Sequence, residues 1–306
     1  MRTNVHIPDG FLSTPVWATL DACAVPAVAT MARRAQRGSD DDKAPLLGVM
    51  GAFVFAAQMI NFPVGAGTSG HLLGAALLAY TLGPAAASVV MTAILAIQAL
   101  VFQDGGVLAL GANTINMAIA GVLVGYLPFY LWGGGSRRRL VLFLGGALSA
   151  LAAAALALTE LLISGVPITK SMLGVSLALF FAAALLEGAI TLAVIEALER
   201  IQPNFVQKPR QGRPGALAAV VVAALMLAAA GFLFTSAAPD GIQQLGRETG
   251  VVAHARALFS TPFRDYEAAF LRSGWQRKAF AGLAGLGAVY AACAVIGRAV
   301  TRKRRA

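Results

Sequence analysis

The chain of 306 residues holds three histidines, and two of them sit among turn-forming residues. His6 lies in Val5-His6-Ile7-Pro8-Asp9-Gly10, and His71 closes Gly67-Thr68-Ser69-Gly70-His71. Neutral imidazole is the commonest side-chain ligand of transition metals, so two imidazoles brought together would grip a divalent ion. Glycines at 65, 67 and 70 let the second stretch turn tightly and approach a ligand. Pro8-Asp9-Gly10 signals a bend that returns the N-terminal segment to the protein. The plainer reading of each histidine is an interfacial side chain with no ligand. His254, in a long loop, is read as solvated.

The order Val5-His6 sharpens the metal reading. A chain that starts one residue before a histidine offers its amine, the histidine amide nitrogen and the imidazole to one metal in adjacent chelate rings. A nitrogen from a second histidine completes a square plane, which suits Ni(II) or Cu(II). Met1 is too far from His6 to supply that amine. Valine is how a GTG start codon reads when taken as internal, so a native chain beginning at position 5, with Met there, is the expectation.

Asn113 and Asn116, three apart, share a helix face. They either hydrogen-bond between helices or orient a ligand histidine; with Asp9 and Ser69 they are expected to surround the metal ligands. Asp21, Glu160 and Glu187 fall in apolar stretches, where a carboxylate marks function by default. Glu160 lies near the end of its span and is read as wet. Asp21 and Glu187 lie deeper, and pairing, partner contact and protonation all remain open for them. Gly67-Thr68-Ser69-Gly70 also suggests a rhomboid-like intramembrane serine protease, but His71 is too close in sequence to be the expected base. No G-x-x-x-x-G-K-[ST] loop and no H-E-x-x-H occurs. Uphill transport by this chain would need ATP hydrolysed by another subunit.

The elements that position these residues are membrane helices. The chain is 58% hydrophobic and 12% charged, with mean hydropathy +0.73; soluble domains carry about 25% charge. Long apolar runs without period-two alternation exclude a barrel. The fold class is therefore all-α and polytopic. Nine spans are expected, at about 14–32, 45–62, 71–84, 85–103, 111–133, 139–163, 172–198, 216–236 and 279–297. Cys23 and Cys293 fall in spans and read as packing residues, and no cleavable signal peptide is evident.

The net charge of +10 clusters at span ends, which is a topology signal rather than a nucleic-acid footprint. Arg33, Arg34, Arg37, Lys43, Arg137–Arg139, Arg200, Lys208, Arg210, Arg213 and the basic tail share one side if nine helices alternate. The positive-inside rule then places the C-terminus in the cytoplasm and the N-terminus outside a bacterial inner membrane. His6, the 63–70 loop and the turn Gln103-Asp104-Gly105-Gly106 fall together on the outer face. The expected organisation is a transmembrane metal-capture domain at 1–202, a basic, Pro-containing cytoplasmic linker at 203–215, and a two-helix module with an extracytoplasmic loop at 216–306.

Val-His-Ile-Pro-Asp-Gly-Phe-Leu-Ser at 5–13, Gly-Thr-Ser-Gly-His-Leu-Leu-Gly at 67–74 and Leu-Gly-Ala-Asn-Thr-Ile-Asn-Met-Ala at 110–118 resemble the CbiM/NikM family. Its members are the substrate-capture (S) components of energy-coupling-factor transporters for cobalt and nickel. Ala238-Pro239-Asp240-Gly241-Ile242 resembles the Pro-Asp-Gly motif of the small N component, although Ile242-Gln243 replaces the usual Leu-Glu. The resemblance implies a bundle of about seven helices with a fused N-type module. It implies metal ligands at Val5, His6 and His71, unless the four residues before Val5 block the amine. It also implies a transmembrane coupling (T) subunit and ATPase (A) subunits as partners. The ion is cargo, no cofactor and no catalysis are expected, and nickel is preferred to cobalt. An ATP-independent metal permease is the other transport reading.

Overall fold

A computed structural model describes residues 6–38, 44–65, 68–133, 136–203, 205–206, 214–230, 240–255 and 258–302. Val5, the four residues before it, Gly67, most of the 203–215 linker and Ala238-Pro239 lie outside the described residues. In chain order the elements are α1 (Thr14–Gly38), α2 (Ala44–Gln58), β1 (Asn61–Gly65), β2 (Thr68–His71), α3 (Ala75–Leu82), α4 (Pro84–Ile97), α5 (Leu110–Asn113), α6 (Val122–Trp132), α7 (Arg138–Ile163), α8 (Lys170–Ile201), α9 (Pro214–Ala230), α10 (Gly241–Thr249) and α11 (Gly274–Arg302). π-Helical turns at Gln98–Phe102 and Thr114–Gly121 extend α4 and join α5 to α6.

Among the described residues six helices are long and apolar enough to cross a membrane. The chain is a polytopic helical membrane protein, and its outward faces are apolar: Leu127, Tyr130, Leu131 and Trp132 on α6 and Phe181 and Leu185 on α8 are exposed. Small residues let helices approach. A Cβ added at Gly146 on α7 would stand 2.9 Å from the Cα of Gly188 on α8, the close crossing that small residues permit in membranes.

The third expected span is corrected. β1 and β2 pair antiparallel, Asn61 with His71 and Pro63 with Ser69. The helix that follows, α3, has eight residues, all buried, and so is about 12 Å long, too short to span. A carboxylate from another helix sets its start. Glu187 on α8 accepts hydrogen bonds from Leu73 N (2.7 Å) and Gly74 N (2.9 Å), satisfying amides that a helix N-terminus leaves open. Gly83-Pro84 ends α3 and begins α4, with Pro84 at the first helical position.

The other apolar-span carboxylates also have partners. Asp21 on α1 accepts from Gly111 N at 2.6 Å, at the start of α5. Glu160, expected to be wet, is buried and accepts from Asn116 Nδ2 at 2.9 Å; the inward face of α7 carries it against the π stretch.

Candidate metal site

The N-terminal segment is fixed before it presents its histidine. Ile7, Phe11 and Leu12 are buried against Leu158 and Leu161 of α7 and Ile242 and Leu245 of α10, each worth about 1.5–3 kcal/mol when fully buried. The Asn113 amide clasps the main chain of Ile7 from both sides: Ile7 N donates to Oδ1 (2.9 Å) and Nδ2 donates to Ile7 O (3.1 Å). Gly106 N also donates to Ile7 O. The Asp9 carboxylate accepts from Val107 N (3.1 Å) and Leu108 N (2.7 Å). The 104–108 loop is thereby laid along the segment. Gly105, with φ +91°, sits so close that a Cβ there would come within 2.7 Å of His6 Cβ.

These contacts bring His6 to His71. The ring centroids are 5.9 Å apart, tilted by 39°. Two imidazoles facing one ion across metal–nitrogen bonds of about 2 Å have ring centres about 6 Å apart at most, and the separation here lies just within that limit. Each ring has one nitrogen engaged. His6 Nδ1 lies 3.2 Å from Asp104 Oδ1, and His71 Nδ1 lies 2.6 Å from Leu72 O. A proton on each Nδ1 leaves each Nε2 with a lone pair. His6 Nε2 is buried without a hydrogen-bond partner. Metal-bound imidazoles commonly show this pattern, the far nitrogen anchored to a carboxylate or carbonyl. Burial and the neighbouring His6 lower the His71 imidazole to about 4, so it is neutral at pH 7 and competent to bind a metal.

Asp104 is the site residue that sequence reading placed only in a turn. Its second oxygen accepts from Tyr266 Oη at 2.6 Å, and Tyr266 stacks on Phe102 with centroids 4.6 Å apart. Burial raises the Asp104 carboxyl, but the facing His6 and the Tyr266 hydroxyl outweigh it and leave the group below its ordinary range. The loop bearing Tyr266 is stitched to the end of α4: Gln103 Nε2 donates to Phe259 O, and Thr261 Oγ1 donates to Val101 O. Asp240 makes a parallel bridge with Ser69 in β2, and its Oδ1 caps α10 by accepting from Gln243 N at 2.8 Å. Burial raises Asp240 to about 8.

The expected surrounding residues divide by what they touch. Asn113 and Asp9 hold main chain beside His6. Ser69 is buried in β2, two positions from His71. Asn116 donates to Glu160 rather than to an imidazole, and its Oδ1 has no hydrogen-bond partner. His254 is exposed. Among the described residues no group of three His, Cys, Asp or Glu side chains stands at metal-holding spacing, so an ion at His6 and His71 would take its further donors from groups of other kinds or from residues that are not described. The chelate that the sequence suggests would use His6 Nδ1, which faces Asp104 here; Val5, whose amine it would also need, lies outside the described residues.

Comparison with known proteins agrees with this picture. The family described as CbiM, cobalt uptake substrate-specific transmembrane region, matches residues 6–205. A putative fused nickel transport protein NikMN of Archaeoglobus fulgidus is 36% identical, over 72% of this chain and 74% of that one. The fused nickel transport protein NikMN of Rhodobacter capsulatus is 29% identical over 98% of this chain and 99% of its own length. A crystal structure of a truncated transition metal transporter superposes with a TM-score of 0.56 at 34% identity, covering 64% of this chain and 99% of that one. Nothing in these comparisons supports the protease reading. A polytopic helical chain whose N-terminal histidine meets the histidine of its Thr-Ser-Gly-His strand, and which matches that family over residues 6–205, belongs to the CbiM family of nickel and cobalt transport proteins.

Proposed function

We propose that this chain captures Ni²⁺ or Co²⁺ between His6 and His71 on the extracytoplasmic face, and passes it inward as the substrate-specific component of an energy-coupling-factor complex. A transmembrane coupling subunit and ATPase subunits would supply the drive. The observation that carries the reading is the imidazole pair, 5.9 Å between centroids, with both Nδ1 atoms engaged and His6 Nε2 open. Arg33, Arg34 and Arg37 lie at the end of α1 remote from His6, and the positive-inside rule then favours an extracytoplasmic position for the pair.

Nickel is the favoured cargo. The Rhodobacter capsulatus relative, aligned over nearly all of both chains, is named for nickel transport. Residues 1–202 form the capture domain in this reading, 203–215 the linker, and 216–306 a fused partner module that leans on the site through Asp240 and Tyr266.

Metal analysis of three purified forms tests the site: the full chain, a form beginning with Met at position 5, and His71→Ala. An alanine form that binds as many ions as the full chain, and as tightly, would end the proposal. Uptake in cells with and without the ATPase subunits tests the coupling; uptake that persists without them favours the permease.

A further inference from the structure

Beside the imidazole pair the bundle encloses a cavity of about 100 Å³. His71 and Ile7 belong to its wall, so it opens directly from the capture site. It runs inward along α7 and α8: Ala150 of α7 and Glu187 of α8 both line it. At 1.5 Å per residue Ala150 lies about 20 Å from the Ile163 end of its helix, well into a hydrocarbon layer about 30 Å thick.

Most of the wall is apolar, yet two buried side-chain oxygens in it have no partner. Asn116 Oδ1 and Asp240 Oδ2 both lack hydrogen-bond partners, and both residues are 2% exposed; the Asp240 carboxyl, raised to about 8, holds a proton at pH 7 that an arriving cation must displace. An orphaned buried acceptor costs about 1–3 kcal/mol, and the fold carries two in one small space. Glu187 adds a carboxylate whose oxygens are already engaged by Leu73 N and Gly74 N. Unused oxygens and carboxylates from separate elements suit a cation that brings water with it. A space of this size has room for an ion with several waters, and the protein oxygens on its wall can replace others.

We infer that this cavity is a second cation position, inboard of the imidazole pair, which holds a partly hydrated divalent ion through Asn116 Oδ1 and Asp240 Oδ2. It builds on the capture reading, since the same ion occupies the two positions in turn. The imidazole nitrogens select a transition metal, whereas the oxygen-lined chamber binds more loosely and discriminates less.

The test uses the purified full chain with Ni²⁺ alone. Equilibrium dialysis with elemental analysis counts the ions, and anomalous diffraction at the nickel edge locates them. The wild type is expected to take two equivalents at saturation, the second more weakly, with the second peak between Asn116 and Asp240. Asp240→Asn weakens the second equivalent about tenfold. Asn116→Leu abolishes it. Because that change also strips Glu160 of its donor, Ala153→Leu serves as the independent variant: it fills the cavity from α7 and touches no polar group. His71→Ala removes the first ion and spares the second. A single equivalent in the wild type, ordered water alone in the cavity, or a second ion that survives both Asn116→Leu and Ala153→Leu overturns the inference. An ion in the cavity with none at the imidazoles defeats the capture reading instead.

Discussion

Asp104 Oδ1 lies 3.2 Å from His6 Nδ1, joining a loop before α5 to the N-terminal segment across the mouth of the bundle. This contact decides how His6 meets an ion. If Asp104 anchors Nδ1 and Nε2 binds the metal, Asp104→Ala should lower Ni²⁺ affinity about 10- to 100-fold, the usual effect of removing a carboxylate behind a ligand histidine. Asp104→Asn keeps an acceptor oxygen and should cost less. If the N-terminal chelate operates, the ring must rotate to turn Nδ1 toward the metal. Asp104→Ala would then leave affinity unchanged or raise it. Competition titration against a coloured chelator separates the outcomes.

Tyr266 should act through the same carboxylate. Tyr266→Phe removes the hydroxyl that Asp104 Oδ2 accepts and keeps the stacking on Phe102. A severalfold loss of Ni²⁺ affinity is expected, with no loss of melting temperature beyond a few degrees. The double variant with Asp104→Ala should be no weaker than Asp104→Ala alone, because coupled residues are not additive. Full additivity would break the link between the C-terminal loop and His6.

Glu187 is expected to be structural first. Its removal leaves Leu73 N and Gly74 N without their acceptor, and each unsatisfied buried amide costs about 1–3 kcal/mol. Glu187→Leu should therefore lower the melting temperature in detergent by more than Glu187→Gln, which still accepts one bond. Equal melting for the two variants and the wild type would show that the start of α3 is held some other way.

The metal-free protein should lose stability in mild acid through His71. Its folded imidazole titrates near 4 because burial disfavours the charged form, whereas an unfolded histidine titrates near 6.5. Below about pH 6.5 the unfolded chain therefore binds the extra proton. The stabilising contribution is complete above that pH and declines as the pH falls toward 4. His71→Gln should flatten the dependence of melting temperature on pH between 7 and 4.5. An unchanged slope would assign acid sensitivity to other groups.

The helical class and the meeting of His6 with His71 were legible because they depend on apolar length, turn residues and side-chain type. The pairing of β1 with β2 was not. Phe62-Pro63-Val64 continues the apolar run of α2, and nothing local separates a buried strand from the end of a helix. Asp104 gave no signal beyond a Gly-Gly turn, since its partners lie 98 and 162 positions away. Asp21 and Glu187 stood out as carboxylates in apolar stretches, but their partners are main-chain amides at helix starts, which no side-chain pattern announces. For Asn116 the spacing left open a bond between helices or a role in orienting a histidine; the π stretch carries it to Glu160 of α7, the first of these.

The doubly clasped main chain of Ile7 has a practical consequence for handling the protein. His6 is 2% exposed and Ile7 is held by Asn113 on both edges, so peptide fused ahead of residue 6 begins beside the proposed ion position. Purification handles and fluorescent labels therefore belong beyond Arg302, at the far end of α11. Metal titrations on material tagged at the front would report the tag's interference as a property of the transporter.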